Sequence, residues 1–207
     1  MKSFRPIFLW FVLPAVLCFV TPWTGDALAL DRAATRHGEW WRLWTGHWVH
    51  FSASHLCWNL LVVAAAGSWL ESLRPGRPWR FAVVAAPLIS GALLALEPAM
   101  QIYGGLSGLA TGLVVLLALE QLSRDDAGTS WWRGLLLLVA GKIAFEAGHD
   151  TALFSRFADH ALRPSAWAHA VGAATGAAFF LSRRTGACLP LGGIAPVRVA
   201  TPEKSPR

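Results

Sequence analysis

Long uncharged runs separated by short charged intervals dominate the chain. They cover residues 6–25, 43–70, 81–96, 98–119 and 164–182. A helix needs roughly 20 apolar residues, within a range of about 17–25, to cross the hydrocarbon core of a bilayer. A further run, 134–147, is interrupted by Lys142 and Glu146. The pattern predicts six membrane-spanning helices and an all-α, polytopic fold. Residues 1–22 read as the first transmembrane helix. Residues 23–183 hold spans two to six and a long outer loop, 23–49. Residues 184–207 are basic and proline-rich, a tail expected to be disordered and to lie on anionic lipid. The start of the chain also has the outline of a signal peptide, with Ala27-Leu28-Ala29 as a cleavage motif. The length of the apolar run favours a retained helix.

Composition agrees with a membrane protein. Hydrophobic residues make up 55% and charged residues 14% of 207, against about 25% charged in an average soluble chain. Mean hydropathy is +0.44. The net charge is +6, and the placement of the basic residues accounts for it. With the N-terminus in the cytoplasm, Lys2, Arg5, Arg74, Arg77, Arg80, Arg124, Arg133 and the basic tail all lie inside. Only Arg32, Arg36, Arg42, Arg156 and Arg163 lie outside. This bias predicts that both termini are cytoplasmic. It makes the lipid bilayer the partner and requires no nucleic acid. Cys18, Cys57 and Cys188 have no metal-ligand spacing and read as small apolar residues.

Chemistry concentrates in a few places. Tyr103-Gly104-Gly105-Leu106-Ser107-Gly108 precedes an apolar run. Glycines allow a sharp turn and close approach, and unpaired N–H groups at a helix start favour developing negative charge. Ser107 there has what an acyl-transfer nucleophile needs. The same segment also reads as a glycine-rich packing surface with an incidental serine. His55 and Asn59 are four apart, on one helix face at membrane depth, where polar groups are costly. His47, His50 and His55 leave open a metal or haem site, and His55 with Asn59 a purely structural pair of hydrogen bonds. Gly38-Glu39-Trp40-Trp41-Arg42 suits the headgroup interface. The span at 81–96 carries nothing ionisable and reads as scaffold. Lys142 and Glu146, at i and i+4, read as an ion pair near the outer end of span five with both side chains snorkelling.

His169, Gly172 and Gly176 share one face of the last span, and Gly108 and Gly112 repeat the small-residue spacing in the fourth. If the two glycine faces pack together, Ser107 and His169 come within hydrogen-bond reach. No acidic residue near His169 in sequence completes a triad, so the expectation is a Ser–His dyad.

Together these motifs resemble the rhomboid intramembrane serine proteases, from about Gly38 to Leu181. The order matches: the tryptophan–arginine loop, His-x4-His-x3-Asn, GGLSG, and Ala-His-x2-Gly-x3-Gly. The resemblance implies a six-helix bundle with Ser107 as nucleophile and His169 as general base. It implies oxyanion stabilisation by His55 and Asn59, aided by the Ser107 N–H, and substrate contact at Gly105. It implies transmembrane protein substrates, a bacterial inner-membrane location, and neither metal nor other cofactor. Many rhomboids carry a tyrosine four residues after the serine, stacked on the base; here Thr111 stands in that place. The small size, the short tail and Gly141-Lys142-Ile143-Ala144-Phe145-Glu146 are similar to the rhombosortase branch, which processes C-terminal GlyGly-type tails of exported proteins. A non-catalytic rhomboid-like membrane chaperone and a metal- or haem-binding membrane protein are the competing readings.

Overall fold

The computed structural model describes residues 3–21, 23–124, 129–149 and 165–182. The tail 184–207, Cys188 and nearly all of the loop 149–163 lie outside the described residues. Six long helices make up most of the fold among the described residues. They are α1 (Phe4–Val20), α5 (Ala53–Leu73), α6 (Arg77–Leu96), α7 (Ser107–Leu122), α8 (Thr129–His149) and α9 (Ala166–Leu181). Short helices α2 (Thr24–Leu28), α3 (Arg32–Arg36) and α4 (Arg42–Thr45) fold the long loop between α1 and α5. By length and composition α5 and α6 can each cross a membrane, while α1, α7 and α9 are shorter apolar helices.

The uncharged runs overstate two helices. The run 43–70 becomes helical only at Ala53, where Ser52 Oγ accepts the His55 N–H at 3.2 Å and caps α5. The run 98–119 becomes helical only at Ser107. Residues before it form a strand, β2 (Ile102–Tyr103), paired antiparallel with β1 (Leu30–Asp31). Hydropathy cannot separate an extended apolar stretch from a helix, and the glycines at 104 and 105 end the strand. At 16 residues, α7 and α9 rise only about 24 Å, short of the roughly 30 Å hydrocarbon core.

The core is built from α7. Leu106, Leu109, Leu113 and Leu116 are fully buried against Phe81, Ile89 and Leu93 of α6. On another side α7 meets α9 along glycine. A Cβ placed on Gly108 would come 2.8 Å from Ala168 O, and one on Gly112 2.6 Å from Gly172 O. Gly172 and Gly176 face Gly108 O and Gly112 O more closely still. No side chain fits between these backbones, which is why both helices carry glycine at that spacing. From α1, Ile7, Phe11 and Ala15 reach the same core, Ile7 against Gly67 of α5.

The long loop is fastened by side chains that complete broken backbone bonding. Pro14 has no N–H to give Trp10 O, and the Trp48 indole supplies one at 3.0 Å. Pro87 likewise leaves Val83 O without its helical donor, and the Trp44 indole supplies it at 3.0 Å. Arg32 donates to Leu94 O, Glu97 O and Met100 O, each at 2.8 Å, and so closes the C-terminal end of α6. Buried Arg42 donates to Asp26 O, Ala29 O and Glu39 Oε2. The arginine of the tryptophan–arginine motif thus folds the loop internally, while Trp40 and Trp41 are exposed.

Candidate active site

The N-terminal ends of α5, α7 and α9 and the C-terminal end of α8 meet at one end of the bundle. Alternation of chain direction does this: α8 runs opposite to the other three, so its last turns face their first turns. His55 and Asn59 come from α5, Ser107 from α7, His169 from α9, and Lys142 and Glu146 from α8. His55, Asn59, Glu146 and His169 are all buried, and Ser107 is partly buried.

Ser107 is the first residue of α7. Its neighbour Gly108 touches the carbonyl of Ala168, the neighbour of His169. The two glycine faces pack together as their spacing led one to expect, and Ser107 and His169 flank one of their backbone contacts. The hydrogen bond expected between the two side chains is not formed in this structure, where His169 Nδ1 is turned to Glu146 instead. Ser107 O accepts the Thr111 hydroxyl at 2.9 Å, so the small residue at 111 is turned back onto its own helix. The Tyr103 hydroxyl donates to Gly105 O at 3.1 Å and is also hydrogen-bonded to Ser107. Burial pushes this hydroxyl up to about 12, so it remains a donor. This is the chain's one tyrosine, and no motif marks its role.

Gly105 adopts φ +137°, a conformation that favours glycine. A Cβ there would come 2.9 Å from His55 Nε2. The bare glycine therefore lets the His55 imidazole lie against the backbone that leads to Ser107. Asn59 Nδ2 donates to His50 Nε2 at 3.1 Å, and the Leu106 N–H approaches the same nitrogen at 3.4 Å. His50 Nδ1 donates to Trp48 O at 3.0 Å, which fixes the tautomer: Nε2 is the acceptor. Burial pushes His50 down to about 4 and keeps it neutral in this role. His50 thereby aims the Asn59 amide and braces the loop before Ser107. His47 is buried and donates from Nε2 to Ala86 O at 3.0 Å, with Ser90 Oγ at 3.1 Å. The span read as plain scaffold so anchors the loop as well.

The largest departure concerns His169. Glu146 Oε2 lies 2.7 Å from His169 Nδ1. The expectation that no acidic group stands near His169 is corrected: a carboxylate occupies Nδ1. Lys142 Nζ lies 2.7 Å from the same Oε2 and 3.1 Å from Nδ1. The ion pair foreseen from the i, i+4 spacing forms, but it does not snorkel. Its carboxylate is 2% exposed and turned into the bundle. Spacing along α8 shows that the two side chains share a face; only packing shows that this face meets α9. Ser165 extends the arrangement. It caps α9 by accepting the Ala168 N–H at 3.1 Å, and its hydroxyl donates to Glu97 Oε1 at the end of α6.

A serine at a helix start, a carboxylate-bound imidazole across one glycine contact from it, and an amide and a second imidazole at the same end of the bundle form a constellation suited to acyl transfer. The family model described as Rhomboid domain matches residues 37–184, well over half of the chain. No curated protein matches the sequence at a significant level.

Proposed function

Because the chain belongs to the rhomboid family of intramembrane serine proteases, we propose that Ser107 is its nucleophile and His169 its general base. The observation that carries this reading is the glycine seam, which leaves no room between the backbones just beside these two residues. Residues 23–183 act as the catalytic core, with six spans, both termini cytoplasmic and the site near the outer surface of a bacterial inner membrane.

In the first half of the reaction Ser107 Oγ attacks the peptide carbonyl carbon. An O–C bond forms and His169 Nε2 takes the hydroxyl proton. The carbonyl oxygen becomes an oxyanion, held by the Asn59 amide, the His55 imidazole and the Ser107 N–H. The C–N bond then breaks, and the proton on Nε2 passes to the leaving amine. In the second half water attacks the acyl-enzyme ester, again giving a proton to Nε2. Collapse releases the carboxyl product and returns that proton to Oγ. Every proton taken by His169 is given back, and no cofactor enters the balance. Gly105 serves the site by letting the His55 imidazole lie against the backbone that leads to Ser107.

The substrates are transmembrane proteins, and we assign them to the rhombosortase type: an apolar span preceded by a glycine pair and followed by basic residues. The similarity of the segment at 141–146 to that branch, and the small size of the chain, support this choice. The test is cleavage in proteoliposomes of two reporters that differ only in the glycine pair. The expected result is cleavage of the Gly-Gly reporter, loss of it in Ser107→Ala, and much slower cleavage when the pair becomes Val-Val. Equal cleavage of both reporters would refute the substrate assignment while leaving the protease reading in place.

A further inference from the structure

We propose that Glu146 is a positioning residue for His169, held in place by Lys142, so that the unit at this site is Ser107–His169–Glu146. The inference rests on the reading of Ser107 and His169 given above.

A carboxylate only accepts hydrogen bonds. With Glu146 Oε2 at 2.7 Å, Nδ1 of His169 carries the proton and Nε2 keeps its lone pair. That is the tautomer a general base facing Ser107 requires. The 3.1 Å separation between Lys142 Nζ and Nδ1 is then an approach of two donors that converge on one oxygen, not a bond between them. Lys142 restrains the carboxylate by binding the same Oε2 beside the imidazole and offsets its charge. The geometry explains how His169 is oriented although Thr111 leaves no aromatic ring to stack on it.

Burial argues for a role beyond tethering. The Glu146 side chain is 2% exposed and that of His169 8%. A buried ion pair contributes little net stability against an apolar pair of similar size. A polar pair at membrane depth usually marks function. When the imidazole takes a proton from Ser107, the new positive charge forms next to a carboxylate already in place, with no reorganisation.

The charged and titratable groups around the imidazole are few among the described residues. Lys142 and Glu146 face it from α8, and His55 from α5 is close enough to feel both His169 and Lys142. Glu97 of α6 is bonded to Ser165, one turn away. Opposite charges at 142 and 146 give the test its sign. Removing the carboxylate leaves the imidazole beside an ammonium and disfavours its protonation. Removing the ammonium leaves it beside a carboxylate and favours protonation.

The experiment measures kcat, KM and the pH dependence of kcat/KM for detergent-solubilised full-length protein, with helicity and Tm followed for each variant. A fluorophosphonate probe is first shown to label Ser107 in the parent protein and not in His169→Ala. Failure at that step would refute the Ser–His reading itself, not the role of Glu146. Glu146→Gln should then lower kcat on the order of 10²-fold with little change in KM. It should move the acid limb of the profile to lower pH, and Glu146→Asp should recover part of the rate. Lys142→Met should move that limb to higher pH. A purely structural brace would alter Tm without moving the limbs in opposite directions. Wild-type kcat and an unmoved limb in folded Glu146→Gln would overturn the proposal. If Glu146→Gln does not fold, Lys142→Met decides: a limb moved upward supports the proposal, and an unmoved limb overturns it.

Discussion

Gly172 faces the carbonyl oxygen of Gly108 so closely that one added methyl group would overlap it. The partner atom is backbone, so no side chain can rotate away to make room. Gly172→Ala should push α9 from α7 beside Ser107 and His169. A misplacement of about 1 Å at a reacting centre can cost on the order of 10²-fold in rate. The contrast is Gly91 of α6, which has nothing within 4 Å of an added Cβ. Gly91→Ala should keep full activity and an unchanged or slightly raised Tm. Cleavage rates for the two variants check this, and an active Gly172→Ala would show that the seam does not set the geometry.

Asn59 is assigned to the transition state. Losing one oxyanion donor typically costs about 10²–10³ in kcat. Asn59→Ala should therefore lower kcat with KM nearly constant. His50 aims the same amide through the 3.1 Å bond, so His50→Ala should show the same pattern in weaker form. Steady-state kinetics on a transmembrane reporter separates the terms. A change confined to KM in Asn59→Ala would move this residue from oxyanion stabilisation to substrate binding.

His50 also predicts a pH dependence of stability. Burial pushes it from 6.5 down to about 4, so the folded protein binds this proton less readily than the unfolded chain. Its contribution is complete above pH 6.5 and is lost as the pH falls towards 4. Tm in detergent should fall across that window. His50→Gln should flatten the fall without abolishing it, because buried His47 is pushed down to about 4 in the same way. An identical slope in the variant would contradict the assigned neutral state.

Much of this architecture is legible in the sequence, and the reasons are physical. Hydropathy located the helices because the bilayer imposes length and apolarity. The glycine seam was legible because 108/112 and 172/176 have a spacing that only close helix contact rewards. Helix starts at Ala53 and Ser107 were not, because an apolar extended segment and an apolar helix have the same hydropathy. Glu146 was missed because i, i+4 spacing defines a face but not what the face meets. His50 and Tyr103 act through partners distant in sequence or through backbone atoms, which leave no motif. The indoles of Trp44 and Trp48 likewise left no motif, because each answers a carbonyl freed by a proline far away in the chain.

That last pairing gives a prediction of its own. Trp44→Phe keeps an aromatic ring but removes the N–H that reaches Val83 O in place of the one missing at Pro87. A typical hydrogen bond contributes about 0.5–1.5 kcal/mol net. Trp44→Phe should lower Tm, and the double variant with Pro87→Ala should recover much of the loss because the helix then supplies its own donor. No recovery in the double variant would mean that Trp44 acts through packing alone.

Activation of Ser107 by His169 is the step on which the proposed chemistry depends. It is tested most directly by locating a fluorophosphonate adduct by mass spectrometry in the folded protein. An adduct is expected on Ser107 in the parent protein and none in His169→Ala over the same exposure. An adduct on another residue, or equal labelling of Ser107 without the imidazole, would contradict it.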